Sequence, residues 1–388
     1  MRPRVQSDVH PMRLSDFADG RDNNFSLIRI IAALTVLASH TFPLAMGIGT
    51  ADLVGPRLGM PLGTIAVDVF FITSGFLVTS SLLNRQSTLE FLWARALRIF
   101  PGHLVMLLLV VFLVGASLTT LSISDYLTSN AIYAYLAKCA TLITGVIYEL
   151  PGVFDRNPLP HVVNGSLWSM PFELKMYLIL ASVWAALGTA RSLRAHGFTL
   201  VVAIFAAASG MFVLADHFWF HASRQFAHLF FMFFAGAACH VLRGRILLSR
   251  TWFLAFAATL FISSVDKDAF FVAYTCLLPY VLLFLAYVPT GVVRRYNMLG
   301  DYSYGIYIYA FPVQQSVVAL VPGVSVRQLI VIAGIATTLI SILSWHLIEK
   351  RALGLKEIFT VSSDNWRLTR FDGHDAPVRR PFCGPQRR

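Results

Sequence analysis

The sequence predicts an all-α polytopic membrane protein, a transmembrane helical bundle of about ten spans with both termini in the cytoplasm. Of its 388 residues, 56% are hydrophobic and only 13% are charged, whereas soluble domains carry about 25% charged residues. The mean hydropathy is +0.66, and apolar stretches of roughly 18 or more residues, long enough to cross a bilayer, recur along the chain. These observations exclude a soluble enzyme, a secreted disulfide scaffold and a disordered protein. A transmembrane β-barrel is disfavoured because its strands would alternate over about ten residues.

Ten apolar segments are the predicted membrane spans. They are 25–46, 62–83, 99–120, 166–188, 198–215, 224–243, 252–265, 269–289, 301–321 and 328–348. The segment 131–148 is also apolar but contains Lys138, and we interpret it as a partly buried or interfacial helix.

The distribution of basic residues sets the predicted orientation. With the N-terminus inside, the inner segments carry 23 Lys and Arg residues and the outer segments carry 6, as expected for cytoplasmic termini. The chain then divides into a basic cytoplasmic leader (1–24), a transmembrane domain (25–351) and a basic flexible tail (352–388) suited to contact with anionic lipid. This arrangement accounts for the net charge of +11 without a nucleic-acid partner.

Three spans each place an ionisable group at a similar predicted depth. Arg29 and His40 are eleven residues apart, so they share one helix face with His40 about 16 Å further out. Asp68 and Glu173 each lie about two turns in from the outer end of their spans. A carboxylate beside an imidazole raises its basicity, which predicts a general-base site. The alternative is a structural polar cluster that holds the helices together.

A second set of charges lies near the predicted inner face. Arg95 and Arg98 are neighbours on a helix and, with Arg29, form a cationic site suited to phosphate groups. Ordinary positive-inside charge is the alternative interpretation.

Four further residues are candidates for substrate binding: Ser166, Trp168, Tyr304 and Gln314. Ser166 is seven residues before Glu173 and shares its face on an ideal helix, and Tyr304 and Gln314 belong to a polar, tyrosine-rich span. The chain contains no Walker loop, GxGxxG, HExxH or GxSxG motif. His217 and His221 are four residues apart without a further ligand, so we expect no metal site.

Taken together and in order, these segments resemble the acyltransferase 3 family of integral membrane O-acyltransferases. The matching residues are Arg29 and His40 with ten residues between them, 68–76 (DVFFITSGF), Arg95 with Arg98, 165–173 (GSLWSMPFE), 300–305 (GDYSYG) and 344–350 (SWHLIEK). The resemblance covers about 23–351.

The resemblance implies transfer of an acyl group, commonly acetyl, from cytoplasmic acyl-CoA to a hydroxyl of an extracytoplasmic carbohydrate or glycolipid, such as lipopolysaccharide or exopolysaccharide. It implies a bacterial inner membrane, no tightly bound cofactor, His40 as the catalytic residue and Arg29, Arg95 and Arg98 as the family arginines. We expect His40 to act as general base, with Asp68 or Glu173 orienting its ring. Direct transfer is preferred to an acyl-histidine intermediate, which stays open.

Two other function classes are compatible with the residues. A transporter of a sugar or an acyl-linked small molecule would also bury ionisable groups along its path. A non-catalytic scaffold or lipid-binding protein would have no affinity for coenzyme A.

Overall fold

The computed structural model describes residues 12–356, apart from positions 19, 21, 51, 86, 189, 190, 223 and 299. Most of the predicted tail and the first eleven residues of the predicted leader lie outside the described residues. Within the described part the protein is almost entirely helical and has no strand. Its two isolated β-bridges join Arg13 to Leu247 and Thr119 to Val153.

Eleven helices of twelve or more residues make up the bundle in this described part. They are α1 (Phe25–Met46), α2 (Leu62–Arg85), α3 (Thr88–Leu108), α4 (Asn130–Thr141), α5 (Met170–Ala186), α6 (Arg191–Ala215), α7 (Gln225–Val241), α8 (Arg250–Ser263), α9 (Lys267–Tyr287), α10 (Ser303–Leu320) and α11 (Val326–Ser344). Shorter helical segments are Ser15–Ala18, Gly55–Leu58, Leu109–Gly115, Ala116–Leu118, Ile123–Thr128, Gly165–Ser169, Asp216–Phe220, Val292–Arg295, Tyr296–Met298, Trp345–Glu349 and Lys350–Gly354.

A helix occupies each of the ten predicted spans, and α4 begins the segment interpreted as interfacial. Six helices are long and apolar enough to cross a membrane: Phe25–Met46, Leu62–Arg85, Thr88–Leu118, Arg194–Phe220, Lys267–Tyr287 and Val326–Gly354. Helices α7 and α8 are apolar but shorter. The all-α membrane fold is confirmed, whereas the number of spans and the side of the termini stay predictions.

The third helix begins eleven residues earlier than predicted. The Ser87 side chain accepts a hydrogen bond from the Glu90 backbone N–H and caps α3, which then continues without a break to Leu118. Arg95 and Arg98 therefore lie within the helix rather than at its entrance. In the sequence, the two charges indicated the edge of the membrane span. In the structure, both side chains line a cavity inside the bundle.

Helices α2 and α7 form the centre of the bundle because small residues let their backbones approach. A Cβ atom on Gly75 would lie 1.9 Å from the Phe233 carbonyl oxygen, and one on Gly236 would lie 2.0 Å from the Ile72 carbonyl oxygen. Such close crossings are typical of helices in membranes. The apolar window of α2 is 67% buried, whereas that of Arg194–Phe220 is only 17% buried, so α2 is central and α6 peripheral.

The chain enters α5 from deep inside the bundle. Asn164 is fully buried and donates to the Ile308 carbonyl oxygen at 3.0 Å, and the Tyr307 hydroxyl donates to the Ser166 carbonyl oxygen at 2.9 Å. Since α10 begins at Ser303, these contacts lie only about 6–8 Å along that helix. The 17 residues of α5 span about 25 Å, which is consistent with a start below the surface of the bilayer.

Candidate active site

Three arginines converge on one narrow cavity of about 90 Å³, the arginine cavity. Arg29 comes from α1, and Arg95 and Arg98 come from α3, where their spacing of three residues places both side chains on one face. Glu173 and Tyr304 also line it. The predicted grouping of the three arginines is therefore present.

The three guanidinium groups differ in how their charges are balanced. The Asp301 carboxylate accepts from Arg29 at 2.9 Å and from Arg98 at 2.5 Å, and Glu349 pairs with Arg98 at 3.4 Å. Among the described residues Arg95 forms no ion pair, and its Nε is buried without a hydrogen-bond partner. Arg95 is thus the arginine of this cavity without a directly paired carboxylate, which leaves its guanidinium available to an anionic ligand.

Glu173 lies with the arginines and not beside His40. Its Oε1 accepts hydrogen bonds from the Ser74 hydroxyl at 3.0 Å and from the Tyr177 hydroxyl. The deep entry of α5 explains this position, because Glu173 in its first turn starts below the level that a full-length span would give it.

The predicted shared face of Ser166 and Glu173 is not formed. Residues Gly165–Ser169 are a 3₁₀-helix, whose rotation per residue exceeds that of an α-helix, and α5 starts only at Met170. Ser169 lines the arginine cavity in place of Ser166, and its hydroxyl lies 2.6 Å from the Tyr307 hydroxyl.

His40 lines a second cavity of about 190 Å³, the His40 cavity. Its Nδ1 is buried without a hydrogen-bond partner, and its ring meets Phe311 edge-on with centroids 5.3 Å apart. The expected carboxylate partner is missing, because neither Asp68 nor Glu173 forms a hydrogen bond with His40. Asp52, in a loop, lines the same cavity and accepts from the Ser39 hydroxyl at 2.6 Å.

Asp68 belongs to a third cavity of about 480 Å³, the wide cavity. Its side chain is fully buried and accepts at Oδ2 from His228 Nε2 at 2.7 Å and from the Tyr274 hydroxyl at 2.6 Å. At the same cavity His217 Nε2 lies 2.8 Å from the Asp268 carboxylate.

The three cavities share parts of their walls. Val67 lines all of them, and Thr64 and Trp168 line both the His40 cavity and the wide cavity. The His40 cavity thus adjoins both the narrow arginine cavity and the wide cavity.

The predicted substrate residues divide into two pairs. Trp168 lines the wide cavity and the His40 cavity, and Tyr304 lines the arginine cavity. Ser166 and Gln314 are buried away from them, and the Gln314 amide donates to the Leu37 carbonyl oxygen at 2.8 Å and to the Thr41 hydroxyl at 2.7 Å. Gln314 thereby joins α10 to α1.

No role was assigned from the sequence to several residues that line these cavities or bind their lining side chains: Asp52, His228, Tyr274, Asp301 and Glu349. Asp301 and Glu349 belong to the matching blocks 300–305 and 344–350. Ionisable residues inside membrane spans are rare and usually functional, and this rule alone would have indicated His228 within the span 224–243. Asp52 carries no comparable signal, because an acidic residue in a loop is unremarkable.

Comparisons with known proteins identify similar chains. A sequence model of the acyltransferase 3 family, described as an acyltransferase domain, matches residues 22–346. An O-acetyl transferase of Shigella phage Sf6 is 27% identical over 350 residues, 86% of this chain and 96% of the relative. Nodulation protein 10 of Rhizobium leguminosarum bv. viciae is 29% identical over 385 residues, 88% of this chain and 96% of the relative. No solved structure matches.

Proposed function

Since the chain belongs to the acyltransferase 3 family, we propose that it moves an acetyl group from acetyl-CoA to a hydroxyl of a carbohydrate, with His40 as the general base. The family and the relative named O-acetyl transferase make the protein a membrane acyltransferase. They favour an enzyme over the transporter that the buried charges alone would allow. The proposal concerns the identity of the donor, the class of the acceptor and the residue that acts as base.

The observation that carries the proposal is the position of His40 between two cavities of different character. Val67 is a common wall of the arginine cavity, the His40 cavity and the wide cavity. A thioester and an alcohol have to meet at one base for direct transfer. In this proposal the two cavities that adjoin the His40 cavity supply the two substrates.

The arginine cavity supports a phosphorylated donor. The guanidinium of Arg95, which has no ion pair among the described residues and lies beside Arg29 and Arg98, would bind the phosphates of coenzyme A. The narrow space between Tyr304, Tyr307 and Phe70 suits an extended arm better than a nucleotide. In this proposal the phosphates stay near the arginines and only the arm with its thioester extends toward His40.

The reaction proposed for His40 is a single displacement. The imidazole removes the proton of the acceptor hydroxyl while the oxygen attacks the thioester carbonyl carbon. The new C–O bond forms, the C–S bond breaks, and the imidazolium returns the proton to the departing thiolate. No serine or cysteine is paired with His40 in the described structure, which favours direct transfer over an acyl-enzyme.

The proposed setting is the inner membrane of a bacterium, with both termini and the arginine cavity on the cytoplasmic side, where acetyl-CoA is made. The excess of basic residues in the segments predicted to be inside supports this orientation. Organisms of the two relatives, a phage of Shigella and a Rhizobium, support a bacterial setting.

A transfer assay tests the proposal on the purified full-length protein. Acetyl-CoA labelled in the acetyl group is supplied with a panel of neutral methyl glycosides, and labelled glycoside is measured. We expect His40→Gln to lower the transfer rate at least about 100-fold, the usual contribution of a general base, while binding of acetyl-CoA and the melting temperature are kept.

His161 provides a matched control. It is an exposed histidine paired with Asp155 at 3.1 Å and lies outside the three cavities. Its backbone φ of 63° is tolerated by asparagine, so His161→Asn should keep the full rate. Equal transfer by wild type and His40→Gln would refute the proposed base, and no labelled glycoside from the wild type would refute the donor and acceptor together.

In cells, mass spectrometry of surface glycans with and without the protein identifies the natural acceptor. The expected result is a mass difference of one acetyl group that disappears in His40→Gln.

A further inference from the structure

The wide cavity has two histidine–aspartate pairs on its wall, and the proposed transfer step at His40 uses neither of them. The outer pair is His217 with Asp268, whose carboxylate side chain is 66% exposed. The inner pair is His228 with Asp68, whose side chain is fully buried. Phe271 lies between the imidazoles, stacked on His217 with centroids 4.0 Å apart and 6.4 Å from His228.

We infer that the wide cavity is the subsite for the carbohydrate acceptor and that His228, oriented by Asp68, binds one of its hydroxyls. This inference rests on the proposed function and names the part of the protein that selects the acceptor. His228 is a binding residue in this scheme, and the chemistry remains with His40.

The hydrogen bonds of His228 leave one nitrogen for a ligand. Its Nε2 faces the Asp68 carboxylate at 2.7 Å, which favours the tautomer that carries the proton on Nε2. The ring is 20% exposed and lines the cavity, and among the described residues Nδ1 has no partner. An unprotonated Nδ1 accepts a hydrogen bond, and a sugar hydroxyl can donate one.

A purely structural role explains the inner pair less well. Asp68 already joins α2 to α9 through the Tyr274 hydroxyl at 2.6 Å, with both side chains buried. A second bond to a ring that faces an open cavity adds little to that link. It does hold the imidazole in one orientation, as a recognition site requires.

The rest of the wall suits a neutral sugar. Trp168 offers an aromatic surface for a sugar ring, and the volume of about 480 Å³ lies within the range of small-molecule sites. The lining includes Asp68, Asp216 and Asp268 but a single arginine, Arg224, so an acidic sugar would meet mostly carboxylates. Within the described residues no group of three or more His, Cys, Asp or Glu side chains is arranged to hold a metal ion.

The wide cavity also adjoins the cavity of the proposed base. Thr64, Val67 and Trp168 line both the wide cavity and the His40 cavity. A sugar ring held against Trp168 can therefore direct one hydroxyl toward His40 while another contacts His228.

The test uses the full-length protein, labelled acetyl-CoA and the methyl glycoside of the panel that is acetylated fastest. We expect His228→Leu to raise the acceptor KM about tenfold or more, the usual effect of losing one hydrogen bond in a binding site. The donor KM should stay within about twofold. His228→Gln, whose amide can still donate to Asp68 and accept a hydroxyl, should have an intermediate acceptor KM, and it serves as the second variant where leucine prevents folding.

A series of deoxy glycosides distinguishes recognition from packing. For the wild type, removal of the hydroxyl that His228 binds should raise KM, whereas His228→Leu should show no further increase for that glycoside. His161→Asn, the histidine outside the cavities, should behave as wild type throughout.

The outcomes distinguish failure of the acceptor subsite from failure of the proposed function. Transfer by the wild type with an unchanged acceptor KM in both His228 variants would overturn this inference and leave the proposed function intact. The same holds if every deoxy glycoside affects wild type and His228→Leu equally. No transfer by the wild type to any glycoside would overturn both.

Discussion

Arg95 should be needed for the donor and dispensable for the fold. Its guanidinium lines the arginine cavity without an ion pair among the described residues, whereas Arg98 is bound to Asp301 at 2.5 Å and to Glu349 at 3.4 Å. A hydrogen bond to a charged group contributes about 1.5–3 kcal/mol, and about 1.4 kcal/mol corresponds to a factor of ten. Arg95→Gln should therefore raise the KM for acetyl-CoA roughly ten- to hundredfold.

The two arginine variants should differ in stability. Removing the unpaired charge of Arg95 relieves a desolvation cost, so the melting temperature of Arg95→Gln should equal or exceed that of the wild type. Arg98→Gln leaves the Glu349 carboxylate, which is 2% exposed, without its cation, and breaking a buried pair costs about 3–5 kcal/mol. Its melting temperature should fall.

The assay combines initial rates at varied acetyl-CoA with thermal unfolding of the same detergent-purified samples. A melting temperature of Arg95→Gln as low as that of Arg98→Gln would show that Arg95 supports the fold instead. A donor KM equal to that of the wild type would refute its contact with the donor.

Three further predictions concern packing and charge. Gly75→Ala places a Cβ against a backbone carbonyl of α7 and should destabilise the protein by about 2 kcal/mol or more. Gly334→Ala is the control, because its Cβ would have nothing within 4 Å, and it should melt at the wild-type temperature. Equal melting temperatures of the two variants would contradict the close crossing. Gly165→Ala places a Cβ 2.6 Å from the Phe311 ring, which packs on His40. Displacement of this ring should lower kcat about tenfold with little loss of folded protein. An unchanged kcat would argue against this contact. Burial and nearby arginine charges lower the pKa of Lys356 from 10.5 to about 8. The unfolded chain then binds more protons between these values, so the melting temperature should rise from pH 8 to pH 10.5, and Lys356→Met should lack that rise.

Much of the local structure could be predicted because hydropathy and helical spacing act over a few residues. Helix α1 was predicted as 25–46 and observed as Phe25–Met46, with Arg29 and His40 on it. The start of α3 was misplaced, since two arginines resemble a membrane boundary until a cavity is known that accepts them. The start of α5 was predicted near the outer surface but lies deeper in the bundle, because nothing in the sequence of 142–164 indicates a segment that descends into it.

The partners of the charged groups could not be predicted. Asp68 was expected near His40 but pairs with His228, which is 160 positions away in the chain. The link between Arg29 and Asp301 spans 272 positions. Residues so far apart meet only through the order in which helices pack, and that order depends on contacts such as the α2–α7 crossing rather than on either residue.

The amino-acid sequence by itself determined that this is a helical membrane protein, where most of its helices lie, and which family it resembles. Each of these depends on the energy of transferring short segments into lipid, or on blocks of consecutive residues, and both can be read along the chain. Only the tertiary structure decided that Glu173 lies with the arginines, that Asp68 holds His228, and that three cavities meet at Val67 beside His40. Those facts depend on which helix faces contact each other, and contacts between helices far apart in the chain, such as the glycine crossing of α2 and α7, help to set those faces.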